Sequence, residues 1–301
     1  MTITSLRPWP ALGWGALPPL AALLILATAA LTPAPERMAV LALIILLGVP
    51  HGALDGEVAR PLLRPRWGRW WFGVFAVPYL LLAAAVLLAW RLAPEATLAG
   101  FLTLSAWHFG SEEAPGRPWE AFVRGGLPIA APTLLQPHAT AEVLGVVAGL
   151  PLDGPPAWLL TASWVWAGAA LAWLALGRPS RGALLEGAAL VLAFAVLSPL
   201  TAFALYFVAL HAPRHMRDLA SDGARAPRVS GIGSAVLRSL PVMGLTLLLG
   251  VLLWPLYGGE PADRLLALTL QGLAALTLPH MVLDALASRW TSQDANPTRV
   301  P

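Results

Sequence analysis

The sequence predicts an all-α protein, a polytopic membrane bundle of about ten helices, with eight as the lower bound. Three observations predict it. Of the 301 residues, 57% are hydrophobic and only 12% are charged, about half the charged fraction usual for a soluble domain. Apolar stretches of the length that a membrane-spanning helix needs, roughly 20 residues, recur along the whole chain. The charges gather between these stretches, and all 19 basic residues are Arg.

The fifth apolar stretch is the weakest, because Pro128, Pro132 and Pro137 interrupt it. It is predicted to be a broken or re-entrant helix whose loose backbone groups are buried by protein. Residues 1–290 are predicted to form one integral membrane domain, and the tail 291–301 is predicted to be disordered. The predicted spans, in order, are residues 14–32, 37–55, 72–90, 96–112, 121–150, 157–177, 183–198, 200–218, 236–256 and 264–288.

The Arg residues predict how these spans are oriented. If the N-terminus is cytoplasmic and all ten segments cross, 16 of the 19 Arg lie on the cytoplasmic side and only Arg37, Arg91 and Arg264 lie opposite. This is the asymmetry of the positive-inside rule. If the fifth segment did not cross, the Arg-rich stretch 214–238 would lie outside. The sequence therefore predicts a multi-pass protein of the cell (inner) membrane with both termini in the cytoplasm, and the Arg-rich stretch 60–69 is interpreted as a cytoplasmic loop.

The residue types that are missing exclude several kinds of chemistry. Without Cys the chain has no disulfide, iron–sulfur cluster, thiolate zinc site or Cys nucleophile. Without Lys it has no Schiff base and no phosphate-loop Lys. The net charge is only +3, and the Arg residues flank apolar spans, so membrane topology explains them better than a nucleic-acid partner.

Five of the six His fall at one predicted depth in the membrane. They lie near the ends of the second, fourth and eighth spans and late in the tenth, and all of these even-numbered spans run from outside to inside. A single intramembrane His is more often a packing residue, but five at one depth favour a metal site in the cytoplasmic half of the bundle. His138, in the broken fifth segment, is interpreted as ordinary packing. The five are His51, His108, His211, His215 and His280.

Carboxylates follow four of these His at helical spacing. Asp55, Glu112 and Asp284 each lie four residues after a His, and Asp218 lies three residues after His215. A metal-binding His usually donates its second ring N–H to such an acceptor. Pro213 removes a backbone donor between the two His of the eighth span, and a kink there would turn one of them away. The candidates for the second shell or a fifth ligand are Asp55, Glu112, Asp218, His280 and Asp284.

An all-imidazole site suits zinc, copper, iron or nickel, and the residue types alone do not choose among them. The sequence around the His narrows the choice, because it resembles a known family. The blocks Pro50-His-Gly-Ala-Leu-Asp55, Trp107-His-Phe-Gly110, Tyr206-Phe followed by His211-x-x-x-His215, and Pro279-His-Met-x-x-Asp284 are similar to the signature blocks of the Brp/Blh family, in family order. These are bacterial and archaeal membrane β-carotene 15,15′-dioxygenases. Leu210 and Ala212 depart from the family, which often has Trp and Ser there.

The resemblance implies an Fe(II) enzyme that splits the central double bond of β-carotene with O2 and gives two all-trans-retinal molecules. It also implies that His51, His108, His211 and His215 are the iron ligands, with His280 in a further block. A separate retinal-binding rhodopsin is then a candidate functional partner, since a chain without Lys cannot hold retinal covalently.

Other functions fit the same His. One is an identical iron site acting on another carotenoid, apocarotenoid or lipid polyene. Another is a metal transporter, although its polar residues would have to line the whole crossing, whereas here they gather at one side. A third is a carotenoid-binding membrane protein without turnover. Four aromatic residues beside the His are expected either to line an apolar tunnel or only to pack, namely Trp107, Phe109, Tyr206 and Phe207.

Overall fold

Every regular element is a helix in residues 15–294, the part of the chain that this computed structural model describes, with side chains described as far as residue 288. The predicted all-α fold is therefore confirmed for this part. Two short π-helical segments, Ile44–Gly48 and Phe207–His211, continue α-helices. The α-helices are α1 (Leu17–Thr28), α2 (Pro33–Leu43), α3 (Asp55–Trp67), α4 (Trp71–Leu92), α5 (Pro94–Glu113), α6 (Pro118–Leu135), α7 (Pro137–Ala148), α8 (Ala157–Leu176), α9 (Arg181–Val196), α10 (Pro199–Tyr206), α11 (Ala212–Ser221), α12 (Ile232–Leu253) and α13 (Pro261–Asp294).

Several of these helices are long and apolar enough to cross a membrane. By length and composition, four stretches of the described chain qualify, and α1 is apolar but shorter. Helices occupy all ten segments predicted as spans. The count of ten, the orientation and the single domain 1–290 stay predictions. The four stretches are Pro33–Leu92, which comprises several helices, Ala157–Leu176, Ile232–Leu256 and Pro261–Ser288.

The fifth predicted span is broken, but only at Pro137, because Pro128 and Pro132 lie inside the continuous helix α6. Its two halves are α6 and α7, and the chain leaves helical geometry at Gln136, just before Pro137. The Gln136 amide donates to the carbonyls of Phe194 (2.7 Å) and Leu197 (2.6 Å) at the end of α9. The side chain at the break thus contacts the end of α9. Whether this segment crosses completely stays a prediction.

The Arg-rich stretch 60–69 is mostly helical and not a loop. It belongs to α3, which continues through Pro61 and Pro65. The helix packs against α4 and α13 and buries Val58 and Ala59. This burial offsets the backbone donors that the two prolines remove.

The C-terminal helix is longer than predicted. Helix α13 continues to Asp294 and so includes the first residues of the tail 291–301. The rest of that tail, and the N-terminal residues 1–14 with Arg7, lie outside the described residues.

Two glycines allow α5 and α6 to pack backbone against backbone. A Cβ at Gly125 would lie 2.0 Å from the carbonyl oxygen of Ala106, and one at Gly110 would lie 2.2 Å from that of Ala121. Small residues of this kind are typical of close helix crossings in membranes. The contact fixes the end of α5 that carries His108.

The apolar core of the described residues has two main parts, which the His-bearing segments connect, and a small third part formed by Val123, Trp173 and Ala183. The chain segments that carry His51, His211 and His280 each pass from one part to the other. The larger part includes Leu41, Ile44, Leu98, Phe194, Tyr206, Val208, Leu266 and Ala274. The smaller main part includes Leu54, Val58, Met216, Leu219, Ala235 and Leu283.

Candidate metal centre

Five imidazole rings meet between the two main apolar parts. Neighbouring ring centroids lie 5.1–6.0 Å apart. Every one of the residues is buried, with 1–9% of its surface exposed. The structure thus brings together all five His that were predicted to share one depth. We call His51, His108, His211, His215 and His280 the His cluster. His138 lies apart and exposed, with its Nδ1 3.3 Å from the carbonyl of Asp153.

The two π-helical segments shape the backbone on either side of the cluster. Each ends two residues before a proline, Pro50 in one case and Pro213 in the other. Since proline cannot donate to the carbonyl four residues earlier, a wider turn closed by i→i+5 hydrogen bonds accommodates it. After the second π-helical segment the helix continues as α11. The kink predicted at Pro213 therefore does not turn His211 or His215 away from the cluster. The ring of each lies 5.5 Å from that of His51.

The two π-helical segments also touch each other. A Cβ at Gly48 would lie 2.4 Å from the ring of Phe207, so only glycine fits there. The same ring stacks on His211 with centroids 5.8 Å apart. Gly48 therefore lets the two His-bearing segments approach each other, and its carbonyl is the acceptor for His51.

Three of the His form a hydrogen bond through one ring nitrogen, Nδ1, in each case. Nδ1 of His51 donates to the Gly48 carbonyl (2.5 Å), Nδ1 of His215 to Glu112 (2.8 Å) and Nδ1 of His280 to Asp55 (2.7 Å). Because carbonyls and carboxylates only accept, the proton must lie on Nδ1 in each. When the imidazole is neutral, its lone pair lies on Nε2, which is the arrangement of a metal-binding His with an outer acceptor.

Unpartnered nitrogens show that the cluster fits a metal ion. In the described part of the chain, Nε2 of His211 and Nε2 of His280 are buried without a hydrogen-bond partner. Such an atom costs about 1–3 kcal/mol unless something binds it. His51, His108 and His211 each offer a ligand atom, and these atoms lie within 4.8 Å of one another. A second such group is His108, Glu112 and His280.

The four carboxylates predicted to support the His lie at different distances from the cluster. Asp55 and Glu112 lie in the cluster, but each accepts from a His on another helix rather than from the His four residues before it. Glu112 also lies 3.8 Å from both His108 and His211. Asp284 lies 3.9 Å from His280 and accepts from Arg225 at 2.7 Å. Asp218 does not reach the cluster: its side chain is 70% exposed and pairs with Arg217.

A large apolar cavity of about 930 Å³ begins at the cluster. Three of the His line it, and so do Phe109 and Phe207, as expected of tunnel residues. The other two aromatic candidates do not line it. Trp107 is 67% exposed, and Tyr206 is buried in a stack on His211. The cavity thus offers a mostly hydrocarbon surface that leads to the imidazoles.

The cavity opens sideways between α4 and α12. Leu80 on α4 and both Leu245 and Leu249 on α12 line it, yet 37–42% of each is exposed. Helix α12 is buried only at Ala235 and Ser239, near its start. Farther along, α4 and α12, both described over their whole length, pack little against each other. The opening therefore lies on an apolar side of the bundle.

Comparison with known proteins identifies the family. The family model described as beta-carotene 15,15′-dioxygenase matches residues 42–287, which include the whole His cluster. The chain belongs to the β-carotene 15,15′-dioxygenase family. The Brp/Blh assignment from the sequence blocks is confirmed.

Two relatives of this family member carry the same description. One, from Halobacterium salinarum, is named probable beta-carotene 15,15′-dioxygenase Blh; it is 30% identical over 93% of this chain and 92% of its own length. Another, from the uncultured marine bacterium 66A03, is named beta-carotene 15,15′-dioxygenase; it is 28% identical over 81% of this chain and 90% of its own. No solved structure matches the chain.

One polar residue beside the cluster, Tyr79, was not predicted from the sequence. The hydroxyl of Tyr79, on α4, donates to Asp55 at 2.8 Å, and Tyr79 also lines the cavity. It lies on an odd-numbered predicted span and outside every signature block, so no sequence signal indicated it.

A network of Arg and Glu beside the cluster was missed as well. Glu113 accepts from Arg124 and Arg214, both at 2.6 Å, and Glu186 also pairs with both, at 2.7 Å with Arg124. The network joins α5, α6, α9 and α11 one residue away from Glu112 and from His215. From the sequence these Arg could be interpreted only as orientation signals, because the partner of a charge depends on tertiary packing.

Proposed function

We propose that this protein is an Fe(II)-dependent oxygenase that cleaves β-carotene at the central 15,15′ double bond with O2, giving two all-trans-retinal molecules. One observation carries the proposal: five buried imidazoles lie together, and three of them line the same hydrocarbon-walled cavity. Membership of a family named for this activity supports it.

His51, His108, His211 and His215 would hold the iron. Imidazole nitrogen is a good ligand for iron, and the chain has no thiolate that would favour another metal. His280 is the candidate for a fifth ligand, because its free Nε2 lies in the same group of atoms as His108. When bound, the iron would supply the activation of O2. Glu112 and Asp55 would orient two of the imidazoles, while Asp284 lies just beyond.

The cavity suits a substrate without polar groups. Five threonines line it: the hydroxyls of four donate to backbone carbonyls, whereas the buried hydroxyl of Thr269 has no hydrogen-bond partner. The apolar walls would bind the polyene, place its middle near the imidazoles and keep water away. No side-chain nucleophile is needed, because the reaction combines the two carbons of the bond with the two atoms of O2. The four threonines are Thr133, Thr140, Thr246 and Thr277.

The retinal formed would leave the protein. With no Lys in the chain, it cannot form a Schiff base here. A separate retinal-binding rhodopsin in the same membrane would be a suitable recipient.

The test uses purified protein in lipid nanodiscs, loaded with Fe(II) without oxygen and then given β-carotene and O2. We expect one bound iron per chain and two retinals for each β-carotene consumed, measured by elemental analysis and chromatography. The variant His108→Ala is expected to lose the iron and the retinal together. Stoichiometric iron without any retinal would overturn the substrate assignment.

The same assay separates the alternatives. Faster loss of another carotenoid, apocarotenoid or lipid polyene in a substrate panel would favour that substrate instead. Iron crossing the membrane of sealed vesicles would favour a transporter, although the cavity beyond the His cluster is apolar. Carotenoid binding without bound iron would favour a carotenoid-binding protein.

A further inference from the structure

We infer that Tyr79 is a positioning residue of the candidate metal centre, acting through Asp55 on His280. The inference rests on the proposed function, because it assumes that the His cluster holds iron. It concerns a residue that touches no imidazole nitrogen itself. The side chains of Tyr79 on α4, Asp55 on α3 and His280 on α13 are connected by consecutive hydrogen bonds.

The chain of hydrogen bonds uses both oxygens of one buried carboxylate. The Tyr79 hydroxyl donates to Oδ2 of Asp55 at 2.8 Å, and Nδ1 of His280 donates to Oδ1 at 2.7 Å. Asp55 is only 3% exposed, so water does not replace either donor readily. A carboxylate held at both oxygens cannot turn about its axis. The imidazole of His280 is therefore held in one orientation, with its unpartnered Nε2 in the cluster.

The hydroxyl of Tyr79 is itself held in place. Its ring packs against Phe75 with centroids 5.2 Å apart, and its oxygen lies 3.3 Å from the carbonyl of Leu276, one turn before His280 on α13. The contact connects α4 to the part of α13 that carries the His. Since Tyr79 also lines the cavity, it lies where a polyene would pass.

Removing the hydroxyl leaves Oδ2 of the buried Asp55 without its donor. The carboxylate is then free to turn, and His280 loses its fixed outer acceptor. Loss of an outer partner of a metal-binding His typically weakens metal affinity about 10- to 100-fold. Tyr79 acts one hydrogen bond farther from the metal than Asp55. We therefore expect removal of its hydroxyl to weaken iron affinity by about tenfold, the lower end of that range.

The chain offers a matched control for this substitution. The hydroxyl of Tyr257 also makes one side-chain hydrogen bond, to Gln271 at 2.9 Å, but toward the other end of α13, away from the cluster. Tyr79→Phe and Tyr257→Phe therefore remove the same chemical group and one side-chain hydrogen bond each, to a carboxylate in the first case and to an amide in the second. Only Tyr79→Phe removes a hydrogen bond from the series that leads to His280.

The experiment compares these two variants with the unmodified full-length protein in nanodiscs. Each is loaded with Fe(II) without oxygen, and the release of iron to a soluble chelator is followed. X-ray absorption reports the number of nitrogen ligands, and thermal unfolding is measured on the metal-free proteins. We expect Tyr79→Phe to bind iron about tenfold more weakly and to change the absorption signal. Tyr257→Phe should keep the affinity and signal of the unmodified protein, and both variants should stay folded without metal.

A double variant tests the route. If Tyr79 acts only through Asp55, then Tyr79→Phe adds no further loss of iron to Asp55→Ala. Additive losses, or equal iron binding by the two Tyr variants, would overturn the inference while leaving the iron site intact. Loss of the folded state by metal-free Tyr79→Phe, with Tyr257→Phe still folded, would also overturn it in favour of a structural role. An unmodified protein that binds no iron would overturn the proposed function itself.

Discussion

Glu112 is the carboxylate on which the candidate metal centre depends most, and replacing it by Ala tests that role. Its Oε1 accepts from Nδ1 of His215 at 2.8 Å, and its two oxygens lie 3.8 Å from nitrogens of His108 and His211. The substitution removes the outer acceptor of one imidazole and a negative charge beside two others. Loss of one such acceptor weakens metal affinity about 10- to 100-fold. At about 1.4 kcal/mol for each factor of ten, this is a loss of roughly 1.4–2.7 kcal/mol of binding free energy.

Asp218→Ala is the control, because Asp218 follows His215 at helical spacing but is exposed beside Arg217. Iron affinity is measured by competition with a chelator of known strength, without oxygen. Glu112→Ala should lose affinity within the stated range, and Asp218→Ala should bind as the unmodified protein does. Equal affinities in all three proteins, or a loss confined to Asp218→Ala, would refute the assignment of the outer acceptor from the structure.

Three further predictions concern packing, access and the metal. Gly125→Ala places a Cβ 2.0 Å from a backbone oxygen and should lower the free energy of unfolding by about 1–3 kcal/mol. Gly168→Ala, whose Cβ would meet nothing within 4 Å, should leave the free energy of unfolding unchanged. Thermal unfolding of the two variants measures the difference. Leu249→Trp should narrow the opening beside α4 and slow retinal formation without loss of iron, while Leu248→Trp, which does not line the cavity, should leave the rate unchanged. Removing metal with a chelator should abolish retinal formation, and Fe(II) but not Zn(II) should restore it.

The sequence was sufficient to predict which imidazoles meet but not what holds them. The shared depth of His51, His108, His211, His215 and His280 follows from span order, and the structure brings all five together. Helical spacing shows only that a His and the carboxylate four residues later share a face. Which group on another helix faces that side depends on packing.

The local departures from regular helix have causes that are visible in the sequence, but their shapes are not. Pro137 predicted the break between α6 and α7, and Pro213 predicted a disturbance near His211. A proline can kink a helix, end it or widen one turn, and the surrounding contacts decide among these. In α3 two prolines change the path so little that a predicted loop is a helix.

The sideways opening of the cavity between α4 and α12 has a consequence for how turnover is quantified. A molecule that arrives through it comes from the hydrocarbon of the bilayer, so the relevant supply is the number of polyene molecules per lipid, not per volume of water. Adding empty lipid that mixes with the protein's own membrane should then slow the reaction, although the amounts of protein and substrate stay the same. A cell would raise the flux by concentrating the pigment in the membrane patch around the protein.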